Sequence, residues 1–221
     1  MLGLYVTVPI ASFRRGAARE YWETHPLPPP STVYGFLLSM VGEVDRQKHL
    51  GVRCTAGLVG KPDRSTVLRR LWRVKDQKLG LGNGANVRPD YQELLTDIRL
   101  IIWLDSSEEP SAGETLELRV RNVLTSAGRA AVSRFGGLSL GESTHMVDEV
   151  LPVDRVPVEL REQVSLFVLE QTGNLSLPVW VDHVGSIETR NALGRLTKSS
   201  IDPPLPTQLP LISDGRMVLQ T

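Results

Sequence analysis

Pro28-Pro29-Pro30-Ser31-Thr32-Val33-Tyr34-Gly35-Phe36-Leu37 is the run from which the fold is read. Three consecutive prolines hold the backbone extended and forbid a helix interior. Ser31 or Thr32 is then placed to cap a helix. Val33, Leu37, Met40, Val41 and Val44 follow at i, i+4, i+7, i+8 and i+11, one stripe of an amphipathic helix. Gly42 costs up to about 1 kcal/mol against Ala inside a helix, so the element is expected to end near it. Upstream, Leu4, Val6, Val8 and Ile10 alternate with Tyr5, Thr7 and Pro9, the period of an opening strand with one buried face.

Downstream, residues 52–59 are weakly strand-like. Residues 66–75 alternate only roughly and are strongly basic. Leu79-Gly80-Leu81-Gly82-Asn83-Gly84-Ala85-Asn86 suits a mobile hairpin tip. Residues 98–104 are dense in β-branched side chains and predict a central strand. Leu116, Val120, Val123, Leu124 and Ala127 repeat the helical stripe and predict a second helix. A glycine-rich stretch, 134–143, precedes a possible strand at 146–153. Short apolar pieces follow at 165–169, 177–184 and 217–219.

This order predicts an α+β fold, a ferredoxin-like or RRM-like antiparallel sheet with two helices. Residues 1–150 would form an RNA-recognition-like domain with a protruding β-hairpin thumb at about 64–92. Residues 151–221 would form a small β-rich C-terminal region. RNA-recognition modules use this architecture.

Of 221 residues, 41% are hydrophobic and 23% charged, the balance of a globular protein rather than a disordered one. No apolar run reaches the roughly 20 residues of a membrane span. Cys54 is the only cysteine, which excludes a disulfide framework or a cysteine-rich zinc site. With no basic leader before an apolar block, a cytoplasmic location is expected. Net charge is zero but unevenly spread. Residues 1–104 hold 15 Lys and Arg against 9 Asp and Glu, and residues 105–221 hold 10 against 16. The first half can offer a basic face to a polyanion and the second an acidic face to protein neighbours.

The basic hairpin is the sharpest feature. Arg64, Arg69, Arg70, Arg73, Lys75, Lys78 and Arg88 are opposed only by Asp76, with Trp72 among them and Tyr91 just beyond. Cations track phosphates, and an interleaved aromatic stacks on an unpaired base for about 1–3 kcal/mol. The bland alternative is a solvated hairpin that Trp72 pins to the core. Arg14 and Arg15 follow the first strand and, beside a helix N-terminus, make an anion site plausible. Gly136, Gly137 and Gly141 can bring bare backbone N–H groups to a phosphate, or simply form a tight turn. Gly137-Leu138-Ser139-Leu140-Gly141 matches the serine-hydrolase elbow, but a helix rather than a strand is expected before it, and Asp182 and His183 are adjacent. His25, His49, His145 and His183 show no metal-ligand spacing. No metal and no cofactor are expected.

Together these motifs resemble the CRISPR-associated protein 5 family. The likeness rests on Phe13-Arg14-Arg15, on Pro28-Pro29-Pro30-Ser31-Thr32-Val33-Tyr34-Gly35, on the basic hairpin with Arg88-Pro89-Asp90-Tyr91, and on Leu138-Ser139-Leu140-Gly141-Glu142-Ser143. It covers residues 3–150 well and the last third loosely.

The resemblance implies a non-catalytic RNA-binding subunit that caps the 5′ handle of the crRNA in a type I Cascade complex. Its partners would be the crRNA, the first backbone subunit and the large subunit, with target DNA nearby. It would have no membrane or small-molecule partner. Arg14, Arg15, Ser31, Thr32, Tyr34, Arg69, Arg70, Trp72, Arg73, Lys75, Lys78, Arg88, Gly136, Gly137, Gly141 and Ser143 would line the RNA site. The implied role is the same whether the complex defends against phage DNA or guides transposition. Some members of the family cleave precursor RNA with a Tyr, Lys and His set. No His falls in the matching motifs here, and His145 lies just beyond Ser143. A metal-independent endoribonuclease and a serine hydrolase at Ser139 stay as alternatives.

Overall fold

The computed structural model describes residues 1–16, 20–110, 113–134, 136–182 and 188–215. Among the described residues the strands are β1 (Leu2–Ala11), β2 (Tyr21–Trp22), β3 (Arg53–Val59), β4 (Asp63–Trp72), β5 (Val87–Asp105), β6 (Glu149–Pro152), β7 (Val164–Leu169), β8 (Leu175–Trp180) and β9 (Arg190–Ser199). The helices are α1 (Pro30–Met40), α2 (Leu116–Val123) and α3 (Ser126–Ala131). All strands join one sheet in the order β6-β1-β5-β3-β7-β9-β8, with β2 and β4 also paired to β5. The first four members of that order, with α1 between β1 and β3 and α2 between β5 and β6, are the expected βαββαβ layer. β7, β9 and β8 extend the same sheet beyond β3. The short piece expected at 217–219 and residue 184 lie outside the described residues.

The two periodicities set the core. Leu4, Val6 and Val8 of β1 and Leu100, Ile102 and Leu104 of β5 point to the helical side, where Val33, Leu37 and Met40 of α1 meet them. Tyr5, Ile101 and Trp103 point the other way. Alternate side chains of a strand occupy opposite faces, so residues 100–104 of β5 are apolar without interruption because both faces are covered there. On the second face Val153, Val156, Leu160 and Leu209 pack over Tyr5 and Trp103. The sheet face that an RNA-recognition module leaves open is therefore closed in this chain.

α1 starts differently from the expectation. Neither Ser31 nor Thr32 is the N-cap. Pro29 holds that position in extended geometry with no side-chain cap bond, and Pro30 is the first helical residue. Proline suits this place because its missing N–H would be unpaired anyway. The helix ends before Gly42, whose φ is +68° and whose Cβ would lie 2.4 Å from the Ser133 carbonyl oxygen. Only glycine fits there. Val44, counted in the stripe, lies past this end and is exposed.

The second helix is broken in two. Thr125 Oγ1 donates to the Asn122 carbonyl and accepts from Gly128 N, capping α3 just after α2 ends. A threonine that satisfies a new N-terminus competes with continuation of the old helix. α2 is fastened to the rest by a largely buried network. Arg119 donates to Glu43 and to His49 Nε2, His49 meets Glu109, and Glu109 accepts the Leu116 N–H at the start of α2.

β5 is both a core strand and an arm. Its second half lies between β1 and β3, while its first half pairs with β4 from Trp72–Val87 to Asp63–Thr96. Asp97, with φ of +52°, sits where the arm leaves the sheet. Aspartate is among the few residues that accept this conformation.

Candidate nucleic-acid interface

The thumb is β4 with the first half of β5, and the alternation of β4 gives it two faces. Ser65, Val67, Arg69 and Leu71 share one face, opposite Leu94, Gln92, Asp90 and Arg88. Arg64, Thr66, Leu68, Arg70 and Trp72 share the other, opposite Leu95, Glu93, Tyr91, Pro89 and Val87. Arg69 and Arg70, read together in the sequence, thus point to opposite sides.

The Arg69 face is an organised site. β2 runs parallel to the base of the arm, pairing Tyr21 with Tyr91 and Trp22 with Gln92. It lays the indole of Trp22 beneath two guanidinium groups, Arg14 at 4.3 Å and Arg69 at 5.0 Å from the ring centroid. Such stacking is worth about 0.5–1 kcal/mol at an exposed site and leaves the N–H fork free for anions. Arg14 is placed by its bridge to Thr24, whose Oγ1 accepts from Phe13 N at 2.8 Å. Gln92 is buried. Its carbonyl oxygen accepts from Arg69 and its amide donates to Glu142. Arg88 pairs with buried Asp90 at 2.7 Å. Arg15 is exposed, and its backbone N–H donates to the Glu23 carbonyl.

The glycine-rich loop closes this site from the other side. Leu140 N donates to the His145 carbonyl and Val147 N to the Leu138 carbonyl, making a small hairpin. Gly141 has φ of +95°, and a Cβ there would lie 2.8 Å from the Ser12 carbonyl oxygen. Its bareness is thus used against the chain just after β1. His145 is buried at the loop base. Its Nδ1 accepts from Ser12 N at 3.3 Å and from Glu142 N at 3.2 Å. The proton is therefore on Nε2, and burial lowers the imidazole pKa, opposed in part by Glu142, with Arg69 lowering it a little further. Gly136, Gly137 and Ser143 are exposed on the same loop. Gly136 has φ of +75° with open space around it, whereas a Cβ on Gly137 would meet the Met146 side chain. Ser139 bridges to Met146 and has α3 before it, not a strand, so the hydrolase elbow is not formed. His183, adjacent to Asp182 and so poorly placed in sequence for a triad, lies outside the described residues.

The thumb tip is built rather than loose. Asn86 is fully buried. Its Oδ1 accepts from Lys75 N and Asp76 N, and its Nδ2 donates to the Asp76 and Leu79 carbonyls, all at 2.8 Å. Arg73 Nε donates to the Ala85 carbonyl at 3.1 Å, while the side chains of Lys75 and Lys78 are exposed. Trp72 is 70% exposed and rests on Gly82, so it pins the tip and does not reach the core.

Ser31, Thr32 and Tyr34 lie elsewhere. They line a cavity of about 440 Å³ that Arg46, Ser139, Gly141 and Trp180 also line. Tyr34 is buried, and its hydroxyl donates to the Arg46 carbonyl at 2.8 Å. The Arg46 guanidinium stacks 3.7 Å from the Trp180 centroid and donates to the Val181 carbonyl at 2.7 Å. Arg14 and Arg15 are not among the residues lining this cavity.

No family model matches the chain. It is 50% identical over 198 residues to "CRISPR-associated protein Cas5" of Myxococcus xanthus (strain DK1622), an alignment covering 89% of this chain and 90% of that one. The chain belongs to the CRISPR-associated Cas5 family. A chain of a solved "CRISPR RNA-guided surveillance complex" has the same fold, with a TM-score of 0.61, 14% identity and 90% of each chain covered.

In this Cas5-family chain Trp22, Gln92, Glu142 and Asn86 belong to the site but were not singled out from the sequence. Trp22 lies in a strand of two residues, too short to show a period. One signal pointed to Glu142, its place in the glycine-containing motif.

Proposed function

We propose that this Cas5-family chain is a non-catalytic subunit of a type I Cascade effector, acting in the cytoplasm, that binds the crRNA and caps its 5′ handle. The thumb contacts the first backbone subunit, the large subunit packs nearby, and target DNA runs close by. The observation that carries this reading is the Arg14–Trp22–Arg69 cluster in the cleft between thumb and glycine-rich loop. Two cations stacked on one indole, at a thumb base that the glycine-rich loop reaches through Glu142, suit the phosphates of a single strand. The closed second face of the sheet supports the same route, since it directs RNA to the cleft. Burial of His145, with its Nδ1 lone pair taken by two backbone N–H groups, supports binding without cleavage.

The test is fluorescence anisotropy of the pure protein with single-stranded RNA carrying the repeat-derived 5′ handle, in a salt series without metal. If about five cations meet phosphates, the log–log slope is roughly −3.5, and the RNA stays intact. Binding indifferent to salt contradicts the reading. Specific cleavage lost in His145→Ala makes the chain a ribonuclease instead.

A further inference from the structure

The inference concerns Glu142 and rests on the RNA-binding reading above. The best-organised cation of the cleft already faces an anion. Glu142 places one carboxylate oxygen on the Gln92 amide and the other 3.8 Å from the Arg69 guanidinium. The residue is fixed on its backbone. Its N–H donates to His145 Nδ1 and its carbonyl accepts from His145 N. Gly141 before it is held against Ser12. Its side chain is nonetheless 34% exposed, and that of Arg69 35%. The carboxylate is thus presented from a rigid loop, at the mouth of the site, with solvent access to both partners.

A carboxylate and a phosphodiester each carry one negative charge spread over two oxygens. Either can take a guanidinium on one oxygen and an amide N–H on the other. We infer that Glu142 is a specificity-determining stand-in for a phosphate, which an RNA phosphodiester displaces from Arg69 and Gln92. RNA that merely collides with the cleft gains little, because it exchanges one anion for another. RNA held by further contacts completes the exchange. Glu142 thus selects against loosely bound polyanions by repulsion and competition.

Glu142→Gln keeps an acceptor for Gln92 but removes the charge. It is expected to bind a mixed-sequence single-stranded RNA about two- to fivefold more tightly than wild type, the size of a half-exposed ion pair, and to gain less on handle RNA. Glu142→Asp keeps the charge and should stay near wild type. The gain should vanish in an Arg69→Gln background, because Glu142 acts through Arg69. Equal or weaker binding by Glu142→Gln, or a gain that survives in Arg69→Gln, overturns the inference while leaving the RNA-binding reading intact. Salt-indifferent binding by the wild type overturns both.

Discussion

Arg69 of β4 and Trp22 of β2 are stacked, with 5.0 Å between guanidinium carbon and ring centroid, although they lie on strands that do not pair with each other. Both are held by β5, through Asp90 and Gln92. The stack makes the arm and the loop after β1 a single surface, because Arg14 lies on the same indole.

Substitution should separate the two faces of the arm. Arg69→Ala is expected to weaken single-stranded RNA binding on the order of tenfold and to flatten the salt slope by about 0.7, the share of one phosphate contact. Arg70→Ala, on the opposite face, should cost clearly less. Equal losses measured by anisotropy would remove the distinction.

Asn86→Ala should loosen the tip without unfolding the sheet. It removes five hydrogen bonds, the fifth from Nδ2 to the Gly80 carbonyl, from an otherwise irregular segment. Leaving buried backbone groups unpaired costs about 1–3 kcal/mol locally. Hydrogen exchange should quicken over residues 75–86 and remain unchanged in β1 and the second half of β5.

Gly141→Val should damage folding as well as RNA binding. The new side chain meets the Ser12 carbonyl and demands a left-handed backbone from a β-branched residue. A loss of about 1–3 kcal/mol is expected in denaturant unfolding. The sequence leaves open whether this glycine faces a ligand or a turn, and the contact with Ser12 shows that the turn requires it.

Stability should fall as the solution is acidified below neutrality. Burial lowers the pKa of His145 and of His25, the latter also through Arg15. The unfolded chain then binds more protons than the folded one between the folded pKa and the ordinary 6.5. The contribution is complete above 6.5 and is lost as pH falls towards the folded value. His145→Asn, which keeps an acceptor without a titrating ring, should flatten this dependence in thermal unfolding from pH 7.5 to 5.

The layer order was legible because two clear periods carry it, β1 at two residues and α1 at the helical spacing. The apolar run 98–104 was legible as a central strand for the same reason that β5 is buried there on both faces. Other features depend on contacts that no local pattern records. The arm half of β5 contains Arg88-Pro89-Asp90, which breaks the alternation. Asn86 sits in a glycine-rich stretch that reads as flexible, yet its amide organises the tip. The cover over Tyr5 and Trp103 comes from 3₁₀ turns and proline-rich chain without a period. At α1, polar residues after three prolines imitate a cap that Pro29 and Pro30 make unnecessary.

The proposed path of the RNA is the cleft between the Arg69 face of the arm and the glycine-rich loop. A cryo-EM structure of this chain in a complex with its guide RNA tests it most directly. Backbone phosphates are expected within hydrogen-bond reach of Arg14 and Arg69, with Glu142 swung away. RNA running instead along the Arg70 and Trp72 face, or no nucleotide near the arm, would contradict it.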